Sequence, residues 1–444
     1  MTRTEKLPVM VLGGGPASVF TACGLVKLGF RVGLITRPRP FPAWEGLSER
    51  PRVSLRHFGF VKTLASIGPK VARAAHWNGV SRVQNQEYIL ERQRFDQALL
   101  EDAMDKGVEV IRGRVENVKR QRACWHISCQ TAQGARTFAT NFLVEGRGRE
   151  ARLGRRLSGS DVVTAPATSA LLKSYRVSMD RPAMTSVAAF AKGWAWFLRD
   201  GAGMAILQIF IGSERGDLPP KDGLEVYFSA LTGQIDEAED WLDGAQAEDS
   251  AVSVRTAAAT LTRPAGGKDF LVVGDGSLAL DPLSGNGIFY AIGSGLAAAP
   301  VINTLINRPA DGDLALQFYR ERIELAFAGG CQSAREFYAS EQRWPGQPFW
   351  QARRNWPVEA SSAGSLSGTA ELCRKPVVRD GFITGEEVIV TPDHPRGVWQ
   401  VDGVPLVPLL RSAGSGEGMA AAFGVTAGQL AAARRWLAEH NISG

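Results

Sequence analysis

The stretch Val9–Ser18, VMVLGGGPAS, decides how the rest of the chain reads. Val9, Met10, Val11 and Leu12 form an apolar run of the kind found in a buried parallel strand. Gly13, Gly14 and Gly15 follow at once, and a helix is expected from about Ala17, carrying Phe20, Leu25 and Leu28. A strand, a glycine turn and a helix in succession let backbone N–H groups and the positive helix end approach a pyrophosphate. Ser18 stands where the third glycine of G-x-G-x-x-G is usual, and is small enough to keep helix and strand close. Alone, the motif is equally compatible with an ordinary tight β–α turn.

Outward from it, Arg31–Ile35 (RVGLI) reads as the neighbouring strand. An acidic residue usually ends that strand on a ribose hydroxyl, but here Thr36 and Arg37 stand there. The Thr36 hydroxyl, or Arg37 against adenine or phosphate, is the available substitute. Residues 37–60 read as a loop rich in Pro and Arg. Residues 94–105 read as an amphipathic helix with Phe95, Leu99 and Ala103 inward, stopped by Gly107, and Val108–Ile111 as a strand. Short alternating runs over 114–145 predict a small antiparallel meander ending on FLVEGRGR.

Residues 165–262 are strand-rich, with SVAAFAKGWAWFLRD, GMAILQIFIG and GLEVYFSAL as the clearest strands. Asp236–Leu242 and the stretch near Glu248 read as helical. Lys268–Leu280 returns to a buried strand, and VVGDGSLALDPLSGNGIFYAIGSG (272–295) is the sharpest chemical element. Its Asp275 can accept hydrogen bonds from ribityl hydroxyls, and Pro282 and Leu283 shape the approach to a flat ring. Gly285, Asn286, Gly287 and Ile288 begin a helix whose N-terminal dipole stabilises negative charge on such a ring. A helix over Leu314–Phe327 follows, then a Pro-, Gly-, Ser- and Arg-rich linker over 341–384 in which Trp344, Trp350 and Trp356 serve packing. In the last sixty residues, EEVIVT and GVWQVDG read as strands and PLVPLL as a short helix. Thr426 and Gln429 make a capping box for a helix through Glu439.

Composition excludes several classes. Hydrophobic content of 44% and charged content of 22% describe an ordinary globular chain. A net charge of +6 without a dense basic stripe gives no nucleic-acid surface. Cys23, Cys124, Cys129, Cys331 and Cys373 show neither metal spacing nor a disulfide framework, which points to a reducing compartment and no metal site. Residues 9–26 imitate a signal peptide, but three glycines and a proline interrupt them. Residues 282–307 carry no charge, yet their glycines, Asn286 and Pro300 suit a buried cofactor helix better than a span. The expectation is a soluble cytoplasmic protein without a membrane span.

Three separated motifs resemble FAD-dependent monooxygenases of the p-hydroxybenzoate hydroxylase type, with their flavin-halogenase and geranylgeranyl-reductase relatives. GGGPAS is similar to the pyrophosphate motif, VEGRGR (144–149) to the strand-end element, and GDGSLALDPLSGNGI to the flavin-contacting motif. Arg92, in LERQRFDQAL, resembles the family arginine that reaches the cofactor phosphates. The likeness implies noncovalent FAD with NADH or NADPH as transient reductant. It implies cofactor contacts at Gly13, Gly15, Ala17, Ser18, Thr36, Arg37, Ser48, Arg92, Asp275, Pro282, Gly285, Asn286, Gly287 and Ile288.

GWAWFLRD is similar to the WxWxIP motif of flavin halogenases at Trp194 and Trp196, but Phe197, Leu198 and Arg199 replace the end. Halogenases also need a lysine that carries the activated halogen, and neither Lys62 nor Lys70 can be assigned to it. EGLSER, GWAW, DPLSGNGI and the C-terminal appendage together resemble flavoproteins that mature protein-derived quinone cofactors. That narrower likeness implies a polypeptide substrate: a tryptophan in the small subunit of a quinohemoprotein amine dehydrogenase, on the way to cysteine tryptophylquinone, possibly together with its maturation proteins. Candidate catalytic residues are Glu45, His57, Trp194 and Trp196, with His76 as a further acid–base group. A tryptophan halogenase, a geranylgeranyl-reductase-like enzyme and a non-catalytic escort of a partner polypeptide remain open as alternatives.

The expected architecture is α/β. It comprises a Rossmann-like FAD-binding domain (1–160 plus 266–340), an inserted antiparallel β-sheet substrate domain (161–265), the linker, and a small C-terminal α+β domain (385–444).

Overall fold

Val9, Met10, Val11 and Leu12 are fully buried because their strand, Thr4–Leu12, has parallel neighbours on both sides. In the computed structural model, which describes residues 4–150, 161–214, 218–248, 251–356, 370–412 and 417–442, it pairs with Val32–Thr36 and Gly134–Glu145. Both faces of such a strand are covered, so it reads as a continuous apolar run instead of an alternating one. Helix Pro16–Lys27 makes the crossover and buries Val19, Phe20, Ala22 and Leu25. Glu109–Gln121, Cys124–Thr131 and Gly134–Glu145 form the expected meander. The first and last of these strands extend into the parallel part of a seven-stranded sheet, which Phe270–Val272 also joins.

A second, nine-stranded sheet runs from Gln246–Ala247 through Thr168–Arg176, Met204–Gly212, Gly193–Arg199, Met184–Phe190, Lys70–Trp77 and Val80–Glu91 to Trp44–Leu47, with Ser253–Thr256 as a ninth strand that also pairs with Thr168–Arg176. It corrects the expected inserted domain of 161–265. Lys70–Trp77 pairs in parallel with Met184–Phe190, so three strands from the first hundred residues complete this sheet. Residues 4–299 and 320–356 accordingly belong to one compact unit.

Other departures have local causes. Residues 37–60 are not one loop but contain strand Trp44–Leu47 and helix Glu49–His57. GLEVYFSAL lies in helix Leu224–Thr232, not a strand. Its β-forming residues are overruled by packing, because only Phe228 and Leu231, three apart, are buried while Val226 is exposed. The stretch near Glu248 is strand Gln246–Ala247, paired with Tyr175 and Arg176. The strand expected over Lys268–Leu280 ends at Val272 and gives way to short turns at Gly274–Gly276 and Pro282–Ser284. The helix expected to end at Phe327 continues through Gly329 and Gly330 as Gly312–Ser340. A Cβ on Gly330 would fall 2.5 Å from Leu280 Cδ2, so the glycine serves close packing within the helix.

The expected linker holds helix Pro348–Arg354 and strand Glu371–Arg379; its residues 357–369 lie outside the described set. Trp350 is fully buried and donates to the Phe190 carbonyl (3.1 Å), which accords with a packing role. The second compact unit consists of residues 300–319 and the described residues after 370, so it starts upstream of 385. Strand Glu371–Arg379 belongs to it through pairing with Phe382–Thr391. Its apolar core joins Leu406, Val407, Leu430, Ala433 and Leu437, and the Thr426–Gln429 capping box forms as read. Helix Glu417–Phe423 was not expected there. Gly287–Asn307 is long and apolar enough to cross a membrane, and 72% of its apolar window is buried inside the protein.

Candidate functional site

A cavity of about 1510 Å³ lies in the first unit, between the glycine turn, the turns of 274–285 and the nine-stranded sheet. The three glycines at its base do different work. Gly13 has φ +106°, and a Cβ there would stand 2.3 Å from the Gly146 carbonyl oxygen. A Cβ on Gly14 would fall 2.4 Å from Thr36 Oγ1. Gly15, by contrast, has ordinary dihedrals at the start of helix Pro16–Lys27, and a Cβ there would meet nothing within 4 Å. No side chain caps that helix, so its first N–H groups are available at the cavity.

Gly285 and Gly287, before and at the start of Gly287–Asn307, also line the cavity, and a Cβ on either would meet nothing within 4 Å. Three glycines whose missing side chains leave open space, two helix N-termini and a long cavity fit a dinucleotide with a flat ring at one end. FAD fits this cradle.

Of the expected contacts, Gly13, Gly15, Ala17, Thr36, Arg37, Arg92, Asp275, Pro282, Gly285, Gly287 and Ile288 line the cavity. Three do not. Ser18 is fully buried and donates to the Gly146 carbonyl (3.2 Å), fastening the helix to the end of Gly134–Glu145. Ser48 starts helix Glu49–His57, and its Oγ is buried without a hydrogen bond. Asn286 begins the long helix, where its carbonyl accepts from the Tyr290 amide (3.0 Å).

Arg92 donates to Glu45 (2.6 Å) and Asp96 (2.9 Å), and Arg39 shares Asp96 (2.9 Å). Burial alone would pull the Arg92 guanidinium down, but Glu45 and Asp96 outweigh it and hold its pKa above the ordinary value. It is a permanent cation held in place on the cavity wall. Asp275 faces Arg149 (3.7 Å) with its side chain 46% exposed into the cavity, and partial desolvation there outweighs Arg149 and pushes its carboxyl above the ordinary range. Arg149, from VEGRGR, also donates to the Ala258 and Leu280 carbonyls, so this motif braces the flavin-type segment.

The nine-stranded sheet supplies the opposite wall. Trp194, Trp196, Phe210, Val187 and Leu172 line it. Trp194 is stacked on Phe210 at 3.8 Å, and its indole nitrogen donates to Tyr338 Oη (3.2 Å), which in turn reaches Asp281 (3.1 Å). Burial pushes the Tyr338 phenol well above its ordinary pKa, so it stays a donor toward Asp281. Trp194 and Trp196 are therefore wall residues, Trp194 with its N–H already committed. Gln208, directly across from Trp196, is the polar residue of this apolar strip.

Glu45 is at the cavity as expected, paired with Arg92. His57 is not: it is exposed at the end of its helix, edge-on to Phe58. His76 contacts Ser81 and Glu237 away from the cavity lining. Among the described residues no lysine lines the cavity: Lys62 pairs with Asp105 (2.7 Å), and Lys70 lies 5.8 Å from the Tyr88 ring. Sequence reasoning missed Arg39, Asp96, Gln208, Phe210, Tyr338 and Asp281. The lone glutamine in MAILQIFIG was a usable signal for one of them; the Tyr338 link, spanning 144 residues, left none.

This site and fold define a flavin enzyme, and the chain belongs to the tryptophan halogenase family, whose profile matches residues 57–374. It is an FAD-dependent oxidoreductase of that family. It is similar to a solved structure described as the peptidyl tryptophan dihydroxylase QhpG, essential for tryptophylquinone cofactor biogenesis. The two share 38% identity over 98% of this chain and 100% of the other, with a TM-score of 0.83. Tryptophan 2-halogenase of Chondromyces crocatus is 24% identical over 80% of this chain and 72% of its own. Digeranylgeranylglycerophospholipid reductase 2 of Methanopyrus kandleri is 25% identical over 72% of this chain and 83% of its own.

Proposed function

We propose that the chain is a monooxygenase that hydroxylates a tryptophan side chain of a partner polypeptide during maturation of a tryptophan-derived quinone, with NAD(P)H as reductant. The reading is carried by the 38% identity to a peptidyl tryptophan dihydroxylase, which extends over 98% of this chain. The partner assigned to it is the small subunit of a quinohemoprotein amine dehydrogenase.

Reduced FAD, when bound with oxygen present, supplies an electrophilic oxygen atom. The chain's residues supply the setting. The N-terminus of Gly287–Asn307 favours negative charge beside it. Trp194, Trp196 and Phe210 offer a flat apolar wall suited to an indole, and their burial keeps water from it. Arg92 and Arg39 bring guanidinium N–H donors, held in place by Glu45 and Asp96, to the cavity wall, where they suit the cofactor phosphates.

The family match favours halogenation as a second reading, and the lysine-free cavity wall argues against it. Aerobic incubation of enzyme, NAD(P)H and the partner polypeptide, followed by mass spectrometry, tests both. A tryptophan gaining oxygen without added halide supports hydroxylation; a halide-dependent gain of chlorine or bromine replaces it with halogenation. An unmodified partner refutes the proposal.

A further inference from the structure

We propose that Arg73 and Glu87 form a clasp for the main chain of the substrate residue whose aromatic ring lies against the tryptophan wall. The guanidinium takes the carbonyl side and Glu87 Oε2 takes the N–H side. The inference rests on the hydroxylase reading above, for which it names the residues that hold the substrate backbone.

Arg73 and Glu87 stand on the adjacent antiparallel strands Lys70–Trp77 and Val80–Glu91, and both line the cavity. Val71 and Ile89, two residues from each, belong to the apolar cluster of Trp194 and Trp196. Side chains two apart share a face, so the pair projects from the same side of the sheet as the aromatic wall. Thr185 Oγ1 donates to Glu87 Oε1 at 2.6 Å, which fixes one carboxylate oxygen. Gly46 makes room for the other: a Cβ there would fall 2.2 Å from Oε2.

The facing charges are nevertheless unsatisfied. Arg73 Nε is 3.8 Å from Glu87 Oε2, too far for a hydrogen bond, and Nε is buried without a partner. Among the described residues the Arg73 guanidinium makes no hydrogen bond, although it carries five N–H donors. A buried donor and a half-used carboxylate oxygen side by side are costly unless a ligand completes them.

The pair is neutral overall, so it does not select a lone anion: what attracts a carboxylate or halide to Arg73 is opposed by Glu87. A group with an acceptor and a donor next to each other satisfies both. The main chain of an amino-acid residue is such a group, either as peptide C=O and N–H or as the carboxylate and ammonium of a free amino acid. Val71 lies across from Glu87, Arg73 across from Thr185, and Val187, two residues on from Thr185, across from Trp196, which keeps backbone and ring sites on one wall.

Titration calorimetry on the FAD-loaded protein tests the clasp with two probes: a short end-blocked peptide carrying one central tryptophan, and free tryptophan. We expect the peptide to bind, Arg73→Met to weaken it about tenfold or more, and Arg73→Lys to restore part of the loss. Glu87→Gln, which keeps an acceptor, should weaken the peptide only a few-fold. FAD retention should stay at the wild-type value in all three variants, and the melting temperature should not fall in Arg73→Lys or Glu87→Gln. If only free tryptophan binds, with the same dependence on Arg73, the clasp stands and the polypeptide reading falls. Undiminished binding in Arg73→Met, no binding of either probe by the wild type, or equal losses of stability and FAD would overturn the clasp.

Discussion

Replacing Gly15 by alanine separates what the glycine turn does for the fold from what it does for the cofactor. Gly15 has φ −79° and ψ 175°, open to any residue, and a Cβ there meets no protein atom within 4 Å. The apoprotein should therefore keep its stability, or gain about 0.4–1 kcal/mol because the unfolded chain loses freedom. The added methyl occupies space at the uncapped N-terminus of Pro16–Lys27, where a phosphate would accept from backbone N–H groups. Losing one such charge-assisted hydrogen bond costs about 1.5–3 kcal/mol, or roughly ten- to hundredfold in FAD affinity. Gly13→Ala is the control of opposite sign. Its φ of +106° and the 2.3 Å approach to the Gly146 carbonyl should cost about 1–3 kcal/mol of fold stability. Urea unfolding of the apoproteins and fluorescence titration with FAD measure the two quantities. Wild-type FAD affinity in Gly15→Ala, or a stability loss matching that of Gly13→Ala, would refute the reasoning.

Asp275→Ala should weaken FAD binding by about 1–3 kcal/mol at neutral pH. Because the Asp275 carboxyl is raised, FAD affinity of the wild type should fall on acidification at a higher pH than for an ordinary carboxylate, a dependence Asp275→Asn should lack. The apoprotein runs the other way: a raised carboxyl costs stability once ionised, so protonating Asp275 relieves the fold. Lys62→Met and Lys70→Met should leave turnover of the partner polypeptide intact, and neither chloride nor bromide should be required; halide-dependent turnover of the wild type that either substitution abolishes would contradict the wall assignment. Thr426→Ala should cost the C-terminal unit about 1 kcal/mol by removing the capping box, read as a shift in its denaturation midpoint.

The parts of the fold legible in the sequence are those in which local signals and packing agree. Leu12 and Gly13 to Gly15 spell a strand end and a turn, and Thr426 with Gln429 spells a helix start, so both form as read. Leu224–Thr232 forms a helix although its residue types favour a strand, because the two positions that reach the core are three apart. The sheet carrying Trp194 could not be delimited from residues 161–265, since no local signal tells Lys70–Trp77 to pair with Met184–Phe190. Many of the cavity-lining residues cluster in contiguous motifs, which makes them legible in the sequence. Glu87 is tied to Thr185, 98 positions away, and Tyr338 to Trp194, 144 positions away, so only strand pairing and helix packing bring them to the site, and Ser18 and Ser48 show that a residue inside a cofactor motif can serve the frame instead.

The hydrogen-bonded line from Trp194 through Tyr338 to Asp281 gives the two halves of the cavity a shared gauge. Asp281 caps the turn Pro282–Ser284, which lines the cavity on the cofactor side, and Trp194 belongs to the facing wall. Tyr338 is carried by the far end of a 29-residue helix, so the gap between the walls is set by a strut outside the cavity lining. A shift at that strut would move one wall against the other while leaving each wall's own contacts whole. Its mark on a reaction at an aromatic ring would be a change in which carbon receives the oxygen, more than a change in how often the enzyme turns over.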